Sequence, residues 1–239
     1  MNLVQKMKTL TAVAALSLSF VGAVNAAPIN STGDLQNGVI FGSGNANGSF
    51  TGINIDGLEL GLRGKLRYNL SGLPENTFNY DGDRTYTFDP ANSFAPANRS
   101  IWNFEFSIDA SNTAAGTLLG SGYEFFLGVD TDPTAGISNA FGPMGFSPLL
   151  FPDNASDNID VTLASVIQNS QNLGFGFTMA DPQLAGIYTI SLVAINQQQQ
   201  ILSTSIDIVV GAAEVSAPAT LSLLALVMLG FGIRRMRNS

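Results

Sequence analysis

The sequence predicts an all-β protein, an antiparallel β-sandwich flanked by an N-terminal signal helix and a C-terminal transmembrane helix. Apolar and polar side chains alternate along several segments, as they do in strands with one buried face. Clusters of Gly, Asn, Asp and Pro separate these segments, and strands do not alternate regularly with helical patterns. We expect about eight to ten strands from this spacing of turn signals.

The first 26 residues have the order of a secretory signal. Lys6 and Lys8 precede an apolar stretch at residues 10–24, and a small residue, Ala26, stands at the expected cleavage site. We expect a signal peptidase to cut after Ala26. A permanent N-terminal anchor is the alternative, and it is disfavoured because the apolar run is short for a membrane span.

The clearest alternation covers residues 58–68, 102–108 and 173–179. In the first of these segments, apolar side chains stand at Leu58, Leu60, Leu62, Leu66 and Tyr68, and charged ones stand between them at Glu59, Arg63, Lys65 and Arg67. One face of each strand is expected to be buried while the other faces water. Glu59 and Glu105 are therefore expected on solvent-facing sides.

Other segments are predicted more from their boundaries than from their alternation. The last two strands form a hairpin that turns at residues 197–200, and residues 158–170 are the only helix candidate. The long loop 136–157 indicates either a functional lip or disorder. The further predicted strands are residues 39–41, 49–55, 84–88, 123–129, 187–195 and 201–210.

Residues 185–188, Ala-Gly-Ile-Tyr, lead into one of these strands. They resemble the tyrosine corner of immunoglobulin-like sandwiches, in which the phenol bonds back to nearby backbone. The fold is therefore expected to have an immunoglobulin-like tendency. A half-buried strand aromatic at Tyr188 would give the same pattern and stays open as the alternative.

Residues 219–233 carry no charge and are followed by Arg234, Arg235 and Arg237. As a helix they would cover about 22 Å, which is short against a hydrocarbon core of roughly 30 Å. The positive-inside rule places the arginines in the cytoplasm and the preceding domain outside it. The alternatives are an ordinary permanent anchor and a buried helix, and the latter would need a core built around an apolar cylinder.

Ser216, Ala217 and Pro218, the apolar run and the arginines together resemble the sorting tail of the PEP-CTERM family. The proline and the following Ala-Thr-Leu match that family, whereas the first proline and the glutamate of its Pro-Glu-Pro motif are replaced. Residues 30–50 also resemble a stretch shared by some members. The resemblance implies processing by an exosortase-like membrane peptidase and an association with exopolysaccharide or biofilm, and it implies no activity for the domain.

The chain contains neither cysteine nor histidine. Thiol catalysis, thiolate metal sites, imidazole-dependent hydrolases and imidazole-bound zinc are therefore excluded. Residues 27–217 hold five basic and eighteen acidic residues, a charge of −13, and no Lys or Arg occurs between residues 100 and 233. Nucleic-acid binding is disfavoured because it needs a basic surface.

Two acidic turns contain the weak calcium candidates Asp81, Asp83, Asp130 and Asp132. Neither turn completes the pattern of a calcium loop, and Asp also stabilises turns by accepting bonds from its own backbone. Solvated turn residues are therefore the favoured interpretation. We expect no cofactor and no metal, with calcium kept as the alternative.

Glu59, Glu105 and Glu124 lie in predicted strands, which makes carboxylate-based glycan hydrolysis the alternative function. We expect no enzyme, because surface acids between apolar neighbours are ordinary features of a half-buried strand. Aromatic side chains could instead stack on sugars, although Trp102 has core-facing parity. The other aromatic candidates are Tyr80, Tyr86 and Phe94.

The predicted organisation places one domain between two sorting signals. It consists of a signal peptide (1–26), a β-sandwich (27–211), a stalk with the sorting motif (212–218), a transmembrane helix (219–233) and a basic cytoplasmic tail (234–239). The predicted function is a non-enzymatic protein that is exported, held in the inner membrane by its C-terminus, and then located at the cell surface or outside the cell. Its expected partners are signal peptidase, an exosortase-like peptidase, the inner membrane before processing and extracellular polysaccharide.

Overall fold

The computed structural model describes residues 33–42, 45–134, 136–138, 145, 147–150, 160–175 and 183–211. The predicted signal helix, sorting motif, transmembrane helix and basic tail lie outside these residues, as does most of the loop 136–157. Within the described part of the chain, no helix has the length and apolar character that a membrane crossing requires.

The described residues form nine strands and three short 3₁₀ helices. The 3₁₀ helices are Pro90–Asn92, Pro148–Leu150 and Leu173–Phe175. The all-β prediction is therefore confirmed. The strands are β1 Thr51–Ile55, β2 Leu58–Tyr68, β3 Pro74–Thr77, β4 Thr85–Phe88, β5 Trp102–Asp109, β6 Tyr123–Val129, β7 Val166–Gln171, β8 Gly186–Asn196 and β9 Ile201–Val210.

The strands belong to two sheets. One sheet has the order β1-β2-β5-β7, with β3 also paired to β2, and the other has the order β4-β9-β8-β6. All neighbours are antiparallel except β4 and β9, which run parallel. Strand β4 follows β3 of the other sheet along the chain, and no hairpin connects it to β9, so the two strands can pair in parallel. A parallel pair needs a long connection of this kind.

The two sheets share one apolar core. Alternate residues of β2 and β5 point into it from the first sheet, and alternate residues of β6, β8 and β9 point into it from the second. Fully burying a large apolar side chain stabilises a fold by about 1.5–3 kcal/mol. The side chains with no exposed surface include Leu60, Leu62, Phe104, Phe106, Leu127, Ile190, Leu192 and Ile206.

Three strands, β2, β6 and β9, coincide with the predicted segments 58–68, 123–129 and 201–210. The predicted hairpin 187–210 is also present, because β8 and β9 pair along their whole length. Strand β3 was not expected from the sequence, since Pro74–Thr77 shows neither alternation nor β-branched enrichment.

Three local predictions are wrong. Residues 39–41 form a loop, and the helix predicted at 158–170 is replaced by β7 over Val166–Gln171. The side chains on the outward face of β7 are polar but lie in a buried layer. The sequence of this strand therefore does not show the apolar alternation that would have predicted it. The predicted strand 173–179 begins instead with the 3₁₀ helix Leu173–Phe175, while its other half lies outside the described residues.

Asn172 explains why the chain leaves the sheet after β7. Its side-chain oxygen accepts hydrogen bonds from the N–H groups of Ser100 and Gly174, both at 2.9 Å. Its amide nitrogen donates to the carbonyls of Ser100 and Trp102. A buried Asn that bonds local backbone in this way offers the chain an alternative to continuing a strand.

Tyr188 makes the hydrogen bond that a tyrosine corner requires. Its hydroxyl donates to the carbonyl of Leu184 over 2.8 Å, and its ring lies 5.2 Å from that of Trp102. The side chain is fully buried, so the alternative of a half-buried aromatic is wrong. The bond holds the chain that enters β8 against the start of β5.

We expect Tyr188→Phe to lower the free energy of unfolding by about 0.5–1.5 kcal/mol, because the part-buried hydrogen bond to the Leu184 carbonyl is lost while the ring packing stays. Urea denaturation of the mature protein measures this. Tyr123→Phe is the matched control, since the Tyr123 hydroxyl has no hydrogen bond within the described residues. Equal losses in the two variants would show that the Leu184 bond contributes nothing.

Candidate functional site

The outer face of the five-stranded sheet is covered by residues 33–42 and 45–50, which we call the covering segment. Its ends meet in an antiparallel bridge, where Gly33 and Phe50 exchange N–H to carbonyl bonds of 3.1 and 3.2 Å. Leu35, Phe41 and Phe50 are buried against the sheet. A Cβ atom on Gly61 of β2 would lie 2.7 Å from a terminal methyl group of Leu35, so a larger residue here would displace that side chain.

A buried ion cluster of Arg63, Lys65 and Glu105 lies under the covering segment. Arg63 of β2 stands directly opposite Glu105 of β5, and its Nε donates to the carboxylate over 2.5 Å. Lys65 forms an ion pair with the other carboxylate oxygen. The side chains of Arg63 and Glu105 have no exposed surface, and that of Lys65 is 5% exposed.

The two cations also bind the covering segment. The Nη1 atom of Arg63 donates to the carbonyls of Ala46 and Gly48, both at 2.8 Å. Its guanidinium carbon lies 4.2 Å from the ring centroids of both Phe50 and Phe78, within cation–π range. The other terminal nitrogen, Nη2, has no hydrogen-bond partner among the described residues.

Lys65 completes the attachment, because its Nζ donates to the side-chain oxygen of Asn45 over 2.9 Å. Burial lowers the pKa of both Lys65 and Arg63, and the negative charge of Glu105 opposes this shift. The carboxylate is thus the counter-charge on which two buried cations depend. Removing one partner of such a pair is strongly destabilising, because the remaining charge stays buried without compensation.

A second group of polar contacts surrounds Glu59 and Asp109, which stand opposite each other on β2 and β5. The backbone N–H of Gln36 donates to both oxygens of Glu59, at 3.1 and 3.3 Å. The side chain of Asn37 donates to Asp109 over 2.5 Å. Burial raises the pKa of Glu59 and the nearby Asp109 charge adds to this, although the Gln36 hydrogen bonds oppose it.

Gln168 of β7 links the covering segment to the sheet between these two groups. Its side-chain oxygen accepts from the N–H of Ile40, and its nitrogen donates to the carbonyl of Gly38, both at 2.8 Å. The same nitrogen donates to the hydroxyl of Ser107 over 3.2 Å. The outer face of the sheet is therefore a layer of paired polar groups.

The expected solvent exposure of Glu59 and Glu105 is wrong, because Glu59 is 8% exposed and Glu105 is fully buried. A cavity of about 30 Å³ beside Glu59 is lined also by Asp34 and Asn54. This space suits one or two water molecules and no sugar ring. Glu124 lies in β6 of the other sheet, so the three glutamates do not meet in one cleft.

Most of the aromatic candidates serve packing. Trp102 and Tyr86 are buried, which confirms the core-facing parity of Trp102. Tyr80 stacks on Tyr86 with ring centroids 4.5 Å apart and bonds through its hydroxyl to the Asp83 carbonyl. Phe94 alone of this set is largely exposed, at 64%.

The acidic turns use their carboxylates as backbone acceptors. Asp81 accepts from the N–H groups of Asp83, Arg84 and Thr85. Asp130 accepts from the N–H groups of Asp132 and Ser138, and Asp132 accepts from Thr134. Among the described residues no three His, Cys, Asp or Glu side chains are grouped as metal ligands.

The predicted processing residues, Ala26, the Ser216-Ala217-Pro218 motif and the three arginines of the tail, lie outside the described residues. The polar layer was missed at the sequence level. The strongest sequence signal for this layer is the presence of opposite charges on two facing strands, together with Gly61 among the charged positions of β2.

Compared with protein-family models and with curated proteins, the sequence matches none of them.

We expect Glu105→Gln to destabilise the mature protein by about 3–5 kcal/mol, because Arg63 and Lys65 lose their counter-charge in a buried site. Denaturant unfolding measures the loss. Glu124→Gln is the control on the exposed surface of β6, and it is expected to change stability by no more than about 0.5 kcal/mol.

The same experiment has a second arm in case Glu105→Gln does not fold. Replacing Arg63 and Lys65 by Met and Glu105 by Leu removes all three charges, and it is expected to recover part of the loss. A Glu105→Gln variant as stable as the Glu124→Gln control would show that the cluster is solvated and would contradict its role.

Glu59 should make stability depend on pH in a defined direction. Since its folded-state pKa lies above 4.5, the folded protein keeps this proton over a range in which the unfolded chain has lost it. The stability that Glu59 contributes therefore falls as the pH rises through that range. Glu59→Gln removes the titration, so its free energy of unfolding relative to wild type should increase with pH and then level off.

Urea denaturation at a series of pH values measures this difference, and Glu124→Gln supplies the baseline for an exposed glutamate. A relative stability of Glu59→Gln that decreases with pH would mean that the Gln36 hydrogen bonds outweigh the cost of burial.

Proposed function

We propose that the chain is an exported, non-enzymatic component of the cell surface or extracellular matrix, sorted through its C-terminal tail. One observation carries the proposal: Ser216-Ala217-Pro218, the uncharged run 219–233 and the arginines follow the last strand in that order. The arginines mark the cytoplasmic end. Because the run is short for a bilayer, it suits a transient anchor that an exosortase-like peptidase removes.

Processing at both ends is compatible with the described fold. The first described residue of the covering segment is Gly33, and strand β9 ends at Val210. Cleavage after Ala26 and near Ser216 would therefore leave the described strands and the bridge between Gly33 and Phe50 intact. The domain could lose both segments without losing a sheet hydrogen bond of the described fold.

The proposal that the chain is not an enzyme rests on how the strand carboxylates are buried and paired. Glu105 is neutralised by two buried cations, and Glu59 is held by the covering segment beside a cavity the size of a water molecule or two. A glycosidase needs two carboxylates that flank an open sugar site. The carboxylate-only enzyme is therefore less well supported than a structural role.

The outer face of the four-stranded sheet supports polysaccharide as a partner. Thr189, Ser191, Ser203 and Ser205 line a shallow depression of about 450 Å³ together with Val193. Hydroxyls beside aliphatic side chains can contact a neutral sugar chain through both hydrogen bonds and apolar surface.

We further propose an immunoglobulin-like sandwich as the fold family. The Tyr188 hydroxyl bond to Leu184 supports it, together with two sheets that share one core. In such sandwiches this bond fixes the corner at the start of a strand.

We expect the surface-held protein to lack residues 1–26 and to end near Ser216, because both signals are removed during sorting. Intact mass measurement of the surface and inner-membrane fractions tests this. Replacing Arg234, Arg235 and Arg237 together by Gln should raise the share of chains that keep the full-length tail, since the proposed sorting signal loses its basic cluster.

Glu124→Gln, on the exposed surface of β6, serves as the control for a charge change in the folded domain, and its processing should match that of wild type. A full-length tail on the surface-held wild-type protein would show a permanent anchor and would contradict the sorting proposal.

A further inference from the structure

Exposed large apolar side chains gather at the end of the domain where β9 finishes, which we call the tail-proximal end. They come from three separate connections between strands, and three of them are 59–65% exposed. Contiguous apolar surface of this kind marks an interaction site more often than scattered single residues do. The side chains are Leu70, Leu73, Phe94, Phe175 and Leu184.

Contacts join these side chains into one surface. The N–H of Phe94 donates to the carbonyl of Asn69 over 3.0 Å, which places Phe94 beside the turn that carries Leu70 and Leu73. Phe94 also lines a groove of about 190 Å³ together with Val210, the last residue of β9.

Phe175 and Leu184 lie at the other margin of this surface. The guanidinium carbon of Arg99 lies 5.0 Å from the Phe175 ring centroid, and Arg99 also donates to the Gly174 carbonyl. Gln183, the neighbour of Leu184 along the chain, lines the same groove as Phe94. The apolar residues therefore surround the point where the chain leaves β9.

The position of the apolar run limits how far this end can lie from a membrane. Eight residues lead from Gly211 to Ala219, and a fully extended chain of that length covers at most about 29 Å. The opposite end of β9, at Ile201, lies about 30 Å further along the strand. An anchored domain thus holds its tail-proximal end closest to the lipid.

The negative charge that repels anionic lipid is smaller at this end than over the domain as a whole. Arg67 and Arg99 are the cations that form no ion pair within the described residues, and both lie here. Three described acids, Glu75, Asp89 and Asp132, lie near the same end, and Glu214 of the predicted stalk is a fourth, so acids outnumber the two arginines here only slightly. Residues 27–217 together carry −13, so other surfaces would be repelled more strongly by anionic lipid.

We propose that the tail-proximal end docks on the phospholipid surface of the membrane that anchors the chain, with Leu70, Leu73 and Phe94 entering the headgroup region. This inference rests on the proposed anchoring by residues 219–233. Apolar side chains and nearby arginines are the combination that binds interfacial lipid. Docking would hold Ser216-Ala217-Pro218 at the membrane surface, where a membrane-bound peptidase acts.

The absence of cysteine allows a direct test with single labels. Ser71→Cys, between Leu70 and Gly72, reports on the tail-proximal end, and Gln198→Cys, in the turn between β8 and β9, reports on the opposite end. The full chain without its signal, labelled with an environment-sensitive fluorophore, is reconstituted into vesicles of phosphatidylcholine and phosphatidylglycerol. Quenching by lipids with a nitroxide on the headgroup is measured together with flotation of the vesicles.

We expect the label at Ser71→Cys to be quenched several-fold more than the label at Gln198→Cys. Leu73→Ser with Phe94→Ser in the Ser71→Cys background should abolish most of this difference, whereas Leu163→Ser at the opposite end should leave it unchanged. Unfolding midpoints of these variants confirm that exposed positions were changed without loss of the fold.

Each other outcome overturns the inference in a distinguishable way. Flotation with equal quenching at both labels would leave the anchor in place and refute docking. A chain that does not float would refute both the anchor and the docking. Strong quenching that survives Leu73→Ser with Phe94→Ser would refute the assignment to these side chains.

Discussion

The buried ion cluster of Arg63, Lys65 and Glu105 is the constraint on which the rest of the five-stranded sheet depends. One face of this sheet packs against the second sheet through apolar side chains, and the other face lies under the covering segment. The covering segment is held partly by Leu35 and Phe50 and partly by the two cations. Since a buried cation is tolerated only with a counter-charge, Glu105 indirectly orders a segment that it does not touch.

The inner face of the fold could be predicted from the sequence because apolar alternation reports burial against an apolar core. Strand β2 has this pattern and was located to the residue, and β6 and β9 were located to the residue from the turn residues that bound them. Strand β7 was not, since its side chains at Gln168 and Ser170 are polar and point into the covered face. Alternation cannot separate a polar residue in water from one in a buried polar layer.

The same limit explains the mistaken placement of Glu59 and Glu105. Their neighbours on β2 and β5 alternate as in a half-exposed sheet, and only the position of the covering segment reveals that both are buried. Residues 33–50 are rich in Gly and Asn, a composition that predicts a loop and gives no indication of what the loop lies against. The contact between this segment and the sheet can be predicted only if the opposite charges on facing strands are considered together with Gly61.

The cluster also specifies strand register in a way that apolar packing cannot. A slip of one residue between β2 and β5 would turn the apolar side chains outward and is excluded by the core. A slip of two residues keeps every apolar side chain inside, so the core alone penalises it weakly. In one direction, however, it would put Arg63 opposite Asn103, and in the other it would put Arg63 opposite Ser107 and Lys65 opposite Glu105, so either slip breaks the Arg63–Glu105 pairing. A polar layer that contributes little net stability can therefore still select one pairing of the central strands.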